Sequence, residues 1–292
     1  MYDVIIIGSG PAGISAGIYL KRANIKVLIL TTNSGALSYA KNIENYYGFE
    51  SISGKDLYEI GMKQAKRLGI EIKKEEVVSI KNTSDIEVIT DRKNYKTKTL
   101  VLATGTSRGK LNIKNIEKFY GNGVSTCAVC DGFFYKNRKI GVLGNGKYAI
   151  YEIEYLKNLT KDITIFTNGE EYNSKLNNYD FPLYETNVKE ILGKEKLDSI
   201  LLKDGKKISL DGIFIAYGSA GAIDFAKELG ILTYNNNIKV NEKYETNIEG
   251  IYAVGDAVNE LKQISVAVSD GAKASKHIIE YIKGEKDDKE NK

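Results

Sequence analysis

The 292 residues include no tryptophan, one histidine, two prolines and two cysteines. Two cysteines cannot build the disulfide framework of a small secreted domain, nor a four-thiolate zinc site. The lone histidine, His277, lies far along the chain from the cysteine pair, which argues against a mixed Cys/His site, so no metal is expected. No apolar run reaches the roughly 18 residues that a membrane span needs. Val4-Ile5-Ile6-Ile7 is too short for a signal-peptide core and has no basic segment before it, so it reads as a buried strand. A cytoplasmic protein with no membrane partner is expected. The net charge is only +4, carried mostly by lysines spread along the chain. With no arginine-rich block, nucleic acid is not an expected partner. No arginine at all follows Arg138.

What is present suits a folded two-domain chain: 42% hydrophobic and 27% charged residues over a length that allows two buried cores. Two segments share one grammar, a short apolar strand, a glycine-rich turn and a helix: Val4 to Leu20 and Ile140 to Leu156. Each is followed by another β-rich run, Val27 to Leu30 and Ile163 to Phe166, completing a βαβ unit. The fold class expected is α/β, with two Rossmann-like doubly wound domains, the second inserted into the first and reduced in size. The boundaries expected are residues 1–112 and 242–292 for the first domain and 113–241 for the insert. The charged tail, residues 284–292, reads as lacking regular structure.

Gly8-x-Gly10-x-x-Gly13 follows a strand and opens a helix, the context a dinucleotide site requires. Gly8 permits the tight turn, Gly10 lets backbone approach a pyrophosphate, and Gly13 lets the helix sit close to the strand. Pro11 suits a helix start because its missing N–H is not needed there. A carboxylate for a ribose hydroxyl is expected about 20 residues on; Thr31-Thr32 stands there instead, and a threonine hydroxyl could make that contact.

Cys127-Ala-Val-Cys130 places two thiols where they can close a disulfide, and a position near a helix start favours the attacking thiolate. With no histidine nearby, Asp131 is the local candidate for acid and base work.

Gly8-Ser-Gly-Pro-Ala-Gly13, Ile43-Glu-Asn-Tyr-Tyr-Gly-Phe49, Ala103-Thr-Gly105, Cys127-Ala-Val-Cys-Asp-Gly-Phe-Phe134 and Gly255-Asp256 resemble, in order and nearly in spacing, the low-molecular-weight thioredoxin reductase family. The resemblance implies FAD on the first glycine turn. Ser9, Ala12, Thr31, Asn45, Ala103, Thr104 and Gly105 would line that site with the three glycines and Pro11. Gly255, Asp256, Gln263 and Ile264 would lie near the flavin ring, where a helix start can stabilise negative charge. It also implies that Cys130 faces the flavin, that Cys127 attacks the disulfide of thioredoxin, and that the protein is a homodimer.

The second turn, Gly144-Asn-Gly146-Lys-Tyr-Ala149, keeps a dinucleotide pattern, but its surroundings depart from the family. The strand after it runs into Glu170 and Glu171 rather than an arginine cluster for a 2′-phosphate. Tyr148 brings a large ring to the helix start, and the asparagine-rich stretch with Pro182 leaves little room for a crossover helix. In these respects the chain resembles the ferredoxin-dependent flavin thioredoxin reductases, which lack a pyridine-nucleotide site. The expected reaction passes electrons from reduced ferredoxin through FAD and the dithiol to thioredoxin. The alternatives are a conventional NADPH or NADH enzyme with a divergent pocket, and a non-catalytic redox-sensing flavoprotein.

Overall fold

A computed structural model describes residues 1–105 and 111–290, with side chains as far as residue 284. The chain divides into two compact units, Met1–Ser107 with Gly221–Lys292, and Arg108–Ala220.

The first unit begins with β1 (Tyr2–Ile7), α1 (Pro11–Arg22) and β2 (Val27–Thr31), the βαβ unit expected from the first glycine turn. α2 (Gly54–Arg67) follows; the Ser53 hydroxyl caps it by accepting from the Asp56 amide. β3 (Glu71–Lys74), the pair β4 (Val77–Asn82) and β5 (Ile86–Thr90), and the long β6 (Asn94–Leu102) complete this part. β1 lies at the centre, parallel to β2 on one side and to β6 on the other. Both neighbours deliver their carboxyl ends to the edge where β1 ends, the crevice in which doubly wound sheets bind ligands.

The second unit opens with β7 (Val124–Ser125) and a short helix, α3 (Ala128–Asp131). β8 (Ile140–Leu143), α4 (Lys147–Leu156) and β9 (Ile163–Phe166) form the second βαβ unit, at the residues read from the sequence. From β9 the chain reaches β10 (Leu183–Tyr184) through a 3-10 turn at Ser174–Asn178, with no α-helix between these parallel strands. The lost crossover helix is thus a structural fact. β11 (Val188–Gly193), β12 (Leu197–Leu202) and β13 (Lys207–Ser209) make a small antiparallel sheet. β14 (Gly212–Ile215) inserts between β8 and β7, giving the parallel order β10-β9-β8-β14-β7.

The chain then returns to the first unit with α5 (Ala222–Leu229), the hairpin β15 (Thr233–Tyr234) and β16 (Asn237–Ile238), β17 (Ile251–Ala253) and α6 (Ile264–Glu290). This corrects the expected boundary at 241/242: residues 221–241 belong with the first unit because α5 packs on β4. A second correction concerns the tail, where α6 continues as helix to Glu290. Its lysines and glutamates are sound helix formers, and no proline intervenes. α6 lies close along α1: a Cβ on Gly271 would stand 2.2 Å from the Ala12 carbonyl, and Ser15 Oγ donates to the Val268 carbonyl at 2.7 Å. Among the described residues no helix is long and apolar enough to cross a membrane.

Glu228 fastens α5 to β4, accepting from the Ser79 hydroxyl and, at 3.2 Å, from the Ile80 amide. Burial pushes its carboxyl up to about 6 against these bonds, which pull the other way. The folded state therefore holds that proton more tightly than the unfolded state. The associated stability is complete below the ordinary value of 4.5 and is lost as pH rises through about 6. We expect on the order of 2 kcal/mol across that window, and denaturant unfolding of Glu228→Gln should show this pH dependence removed.

Candidate functional site

Three sequence motifs end on one sheet edge of the first unit: Gly8 after β1, Ala103-Thr104-Gly105 after β6, and Gly255-Asp256 after β17. Gly8 has φ +109°, and a Cβ there would lie 2.2 Å from the Ala103 carbonyl. A Cβ on Gly13 would lie 2.0 Å from the Gly8 carbonyl, so strand, turn and helix touch through backbone alone. Gly10 differs, with nothing within 4 Å of its Cβ position. Pro11 begins α1, and no side chain caps its start. Among the described residues, the buried Thr104 hydroxyl at the same edge has no hydrogen-bond partner. A backbone surface left open at a helix start, with an unpaired hydroxyl beside it, fits a dinucleotide such as FAD.

The hydroxyls behind the turn are already engaged. Thr31 Oγ1 donates to the Asn33 carbonyl at 3.0 Å, so its 2.7 Å bond to Ser9 must be accepted from the Ser9 hydroxyl. Ser9 in turn accepts from Tyr58 on α2 at 2.8 Å. Thr31 can therefore offer a ribose only an acceptor. Tyr58 was not anticipated from the sequence, because α2 reaches the turn only through the fold.

At the other side of this edge, Asp270 on α6 is buried and accepts from Tyr244 Oη at 2.7 Å, from the Gly255 amide at 3.1 Å and from Asn259 Nδ2. It holds the turn that carries Asp256. Burial raises the Asp256 carboxyl above its ordinary range, with Lys262 opposing and Asp270 assisting. α6 begins at Ile264, directly after Gln263, whose Oε1 accepts from Asn45 Nδ2 at 3.0 Å. Two residues separated by 218 positions are thus brought together. Asp270 was missed too, though it falls in the stripe of small buried residues Ala267, Gly271 and Ala274, where a carboxylate needs a reason to be.

In the second unit Cys127 and Cys130 are joined as a disulfide. Cys127 precedes α3, and its sulfur accepts from the Cys130 amide at 3.1 Å. Cys127 is 5% exposed whereas Cys130 is exposed. Asp131 Oδ2 accepts from the Ser125 hydroxyl at 2.6 Å, and Ser125 Oγ accepts from the Cys127 amide at 3.1 Å. Asp131 is therefore linked to the Cys127 backbone through Ser125, a residue the sequence did not single out.

The second glycine turn begins like the first, with a Cβ on Gly144 2.3 Å from the Ala216 carbonyl. Its outer surface is covered by the chain itself. The Asn145 carbonyl accepts from the Asn173 amide at 2.8 Å, and its Nδ2 donates to the Glu171 carbonyl at 3.1 Å. Asn145 Oδ1 accepts from the Gly218 amide at 3.4 Å, and a Cβ on Gly146 would stand 3.1 Å from the Gly218 carbonyl. Tyr148 requires a correction. Its ring does not sit over the turn; it is buried among Ala128, Ala149 and Phe214, because its hydroxyl finds the Thr126 carbonyl at 2.9 Å.

The family model for pyridine nucleotide-disulphide oxidoreductases matches residues 2–271. The chain is 34% identical to the thioredoxin reductase of Aquifex aeolicus (strain VF5), over 98% of this chain and 95% of that protein. Among solved structures it is similar to the atypical thioredoxin reductase TRi from Desulfovibrio vulgaris Hildenborough. That likeness has a TM-score of 0.92 at 33% identity and covers 98% of this chain and 99% of that one. A ferredoxin-flavin thioredoxin reductase from Clostridium acetobutylicum gives 0.76 at 30% identity over 97% and 98%.

The contrast between Gly10 and Gly146 can be measured. Gly10→Val fills the open surface and should lower bound flavin per chain at least about tenfold, since a blocked contact of about 1.4 kcal/mol already gives that factor. Gly146→Val should retain flavin, measured as absorbance released on denaturation.

Proposed function

The chain belongs to the pyridine nucleotide-disulphide oxidoreductase family as a thioredoxin reductase, and on that footing we propose that its electrons come from reduced ferredoxin rather than from a nicotinamide. FAD is the cofactor of this family and, when bound, links single-electron delivery to reduction of a disulfide. The open turn at Gly8, Gly10 and Gly13, with Pro11 and the Thr104 hydroxyl, would hold it. Two electrons and two protons convert the Cys127–Cys130 disulfide to a dithiol. That dithiol then exchanges with the disulfide of thioredoxin, leaving thioredoxin reduced and the Cys127–Cys130 bond restored. The Cys130 amide, 3.1 Å from Cys127 Sγ, supports a thiolate on Cys127, which marks it as the attacking sulfur. Cys130 resolves the mixed disulfide, and Asp131 exchanges the proton. Because Cys127 is the buried sulfur here, attack requires that turn to be presented differently to thioredoxin. A homodimer is part of this reading, to be checked by light scattering.

One observation carries the choice of donor: the second glycine turn is covered by residues 171–173 and by Gly218, where a nicotinamide dinucleotide would need open backbone. Electrostatics point the same way, since Glu170 and Glu171 are exposed after β9 and no arginine lies beyond Arg138. Each charge-assisted bond to a 2′-phosphate contributes roughly 1.5–3 kcal/mol. Losing two lowers affinity by a factor of about a hundred to ten thousand or more. The similarity to the Clostridium acetobutylicum structure supports the reading.

Millimolar NADPH should leave the flavin absorbance unchanged over a turnover time. Reduced ferredoxin should bleach it, more slowly as salt rises, and oxidised thioredoxin should restore it. Rapid bleaching by micromolar NADPH would establish the conventional enzyme instead. The cysteine roles have their own test: Cys130→Ser should trap thioredoxin as a mixed disulfide visible on a non-reducing gel. Trapping by Cys127→Ser alone would reverse the assignment.

A further inference from the structure

α4 follows the second glycine turn, where the ferredoxin reading assigns it no ligand, yet one stripe of the helix is given over to the dithiol. Tyr148 Oη donates to the Thr126 carbonyl at 2.9 Å, and Glu152 Oε2 accepts from the Ala128 amide at 2.7 Å. Further along, a Cβ on Gly132 would meet Leu159, Leu156 and Tyr155 at 3.0, 3.2 and 3.3 Å. Tyr148, Glu152, Tyr155 and Leu156 lie along one face of α4 (Lys147–Leu156), and Leu159 follows in the turn that ends it, so α4 and the turn after it touch the residues before, within and after the Cys127–Cys130 turn. Tyr148 and Glu152 are 5% and 4% exposed, so water does not compete for either bond. The two bonds bracket Cys127, one on the peptide carbonyl before it and one on the amide after it.

We propose that Tyr148 and Glu152 are positioning residues for disulfide exchange, through which a helix built like that of a dinucleotide site holds the backbone of Cys127 and biases the dithiol toward giving up its electrons. This rests on the reading of Cys127–Cys130 as the redox pair. Ala128 opens α3, so its amide has no partner within the helix and would otherwise be available to favour a thiolate on Cys127. Glu152 takes that amide and sets a carboxylate close to Cys127. Both effects disfavour the reduced, thiolate-bearing state. The exchange, dithiol plus thioredoxin disulfide giving disulfide plus thioredoxin dithiol, is thereby drawn toward reduced thioredoxin. It needs no further reactant. Tyr148 supplies the uncharged half of the clamp and limits where the sulfur can lie.

The test uses purified flavin-loaded enzyme equilibrated in dithiothreitol redox buffers, with thiols counted by mass, and the pH profile of iodoacetamide alkylation at Cys127 after reduction. Glu152→Gln keeps the shape and removes the charge. It should shift the equilibrium about tenfold toward the dithiol, equivalent to about 30 mV for a two-electron couple, and move the alkylation profile to lower pH. Tyr148→Phe should leave that profile in place and slow thioredoxin reduction several-fold at unchanged flavin content. An equilibrium and profile for Glu152→Gln within twofold of the parent would overturn the proposal. Should Glu152→Gln fail to retain flavin, a Tyr148→Phe enzyme that reduces thioredoxin at the parental rate would overturn it as well. A parent dithiol that does not exchange with thioredoxin would instead remove the underlying reading, a result distinct from either.

Discussion

One close approach, made twice, positions everything else in this molecule. The glycine that ends the central strand of each unit lies against the carbonyl of the alanine that ends the neighbouring strand: Gly8 against Ala103, and Gly144 against Ala216. No side chain fits between them, so strand end, turn and helix start are locked into one rigid corner. The corner by itself is neutral toward ligands. Among the described residues of the first unit the next glycine, Gly10, has nothing within 4 Å of its Cβ position and the Thr104 hydroxyl has no partner. In the second, the segment after β9 and Gly218, beyond β14, lie on the corner and engage the carbonyl and the side-chain amide of Asn145. The same backbone thus stands open in one unit and is covered by its own chain in the other.

A second device recurs beside each corner. Asp270 on α6 accepts from the Gly255 amide, and Glu152 on α4 accepts from the Ala128 amide. Each carboxylate stands in the buried stripe of its helix, where it would be costly without a donor. Each donor is a backbone amide in a tight turn, which would be costly without an acceptor. Satisfying both at once fixes a turn, the one that carries Asp256 in one case and the dithiol turn in the other. α4 packs against the dithiol turn through Tyr148, Glu152 and Leu156, a packing that does not depend on a crossover helix after β9.

Much of this was legible in the residues. The two strand–glycine–helix segments, the cysteine pair with Asp131 and the absence of an arginine cluster after the second turn all depend on neighbours in sequence: periodicity, spacing and local charge. These are properties a linear reading can count. Tyr58 behind Ser9 and the pairing of Asn45 with Gln263 were out of reach, since each joins segments far apart in the chain, while Ser125 between Asp131 and Cys127 is a local contact whose geometry the residue types alone did not reveal. Asp270 and Glu152 stood in plain view as carboxylates within apolar stripes, but the sequence could not say which amide each would meet.

The sequence by itself determined that two dinucleotide-type corners form and that a redox pair lies between them in the chain. It does so because glycine spacing and strand–helix alternation act over a few residues. Only the tertiary structure decided which corner stays open. That outcome turns on where residues 171–173 and Gly218 come to rest, and on whether the Tyr148 ring covers the turn or turns inward to the Thr126 carbonyl. The domain boundary at residue 221 was decided the same way, by the packing of α5 on β4, a contact between segments about 150 residues apart that no local pattern encodes.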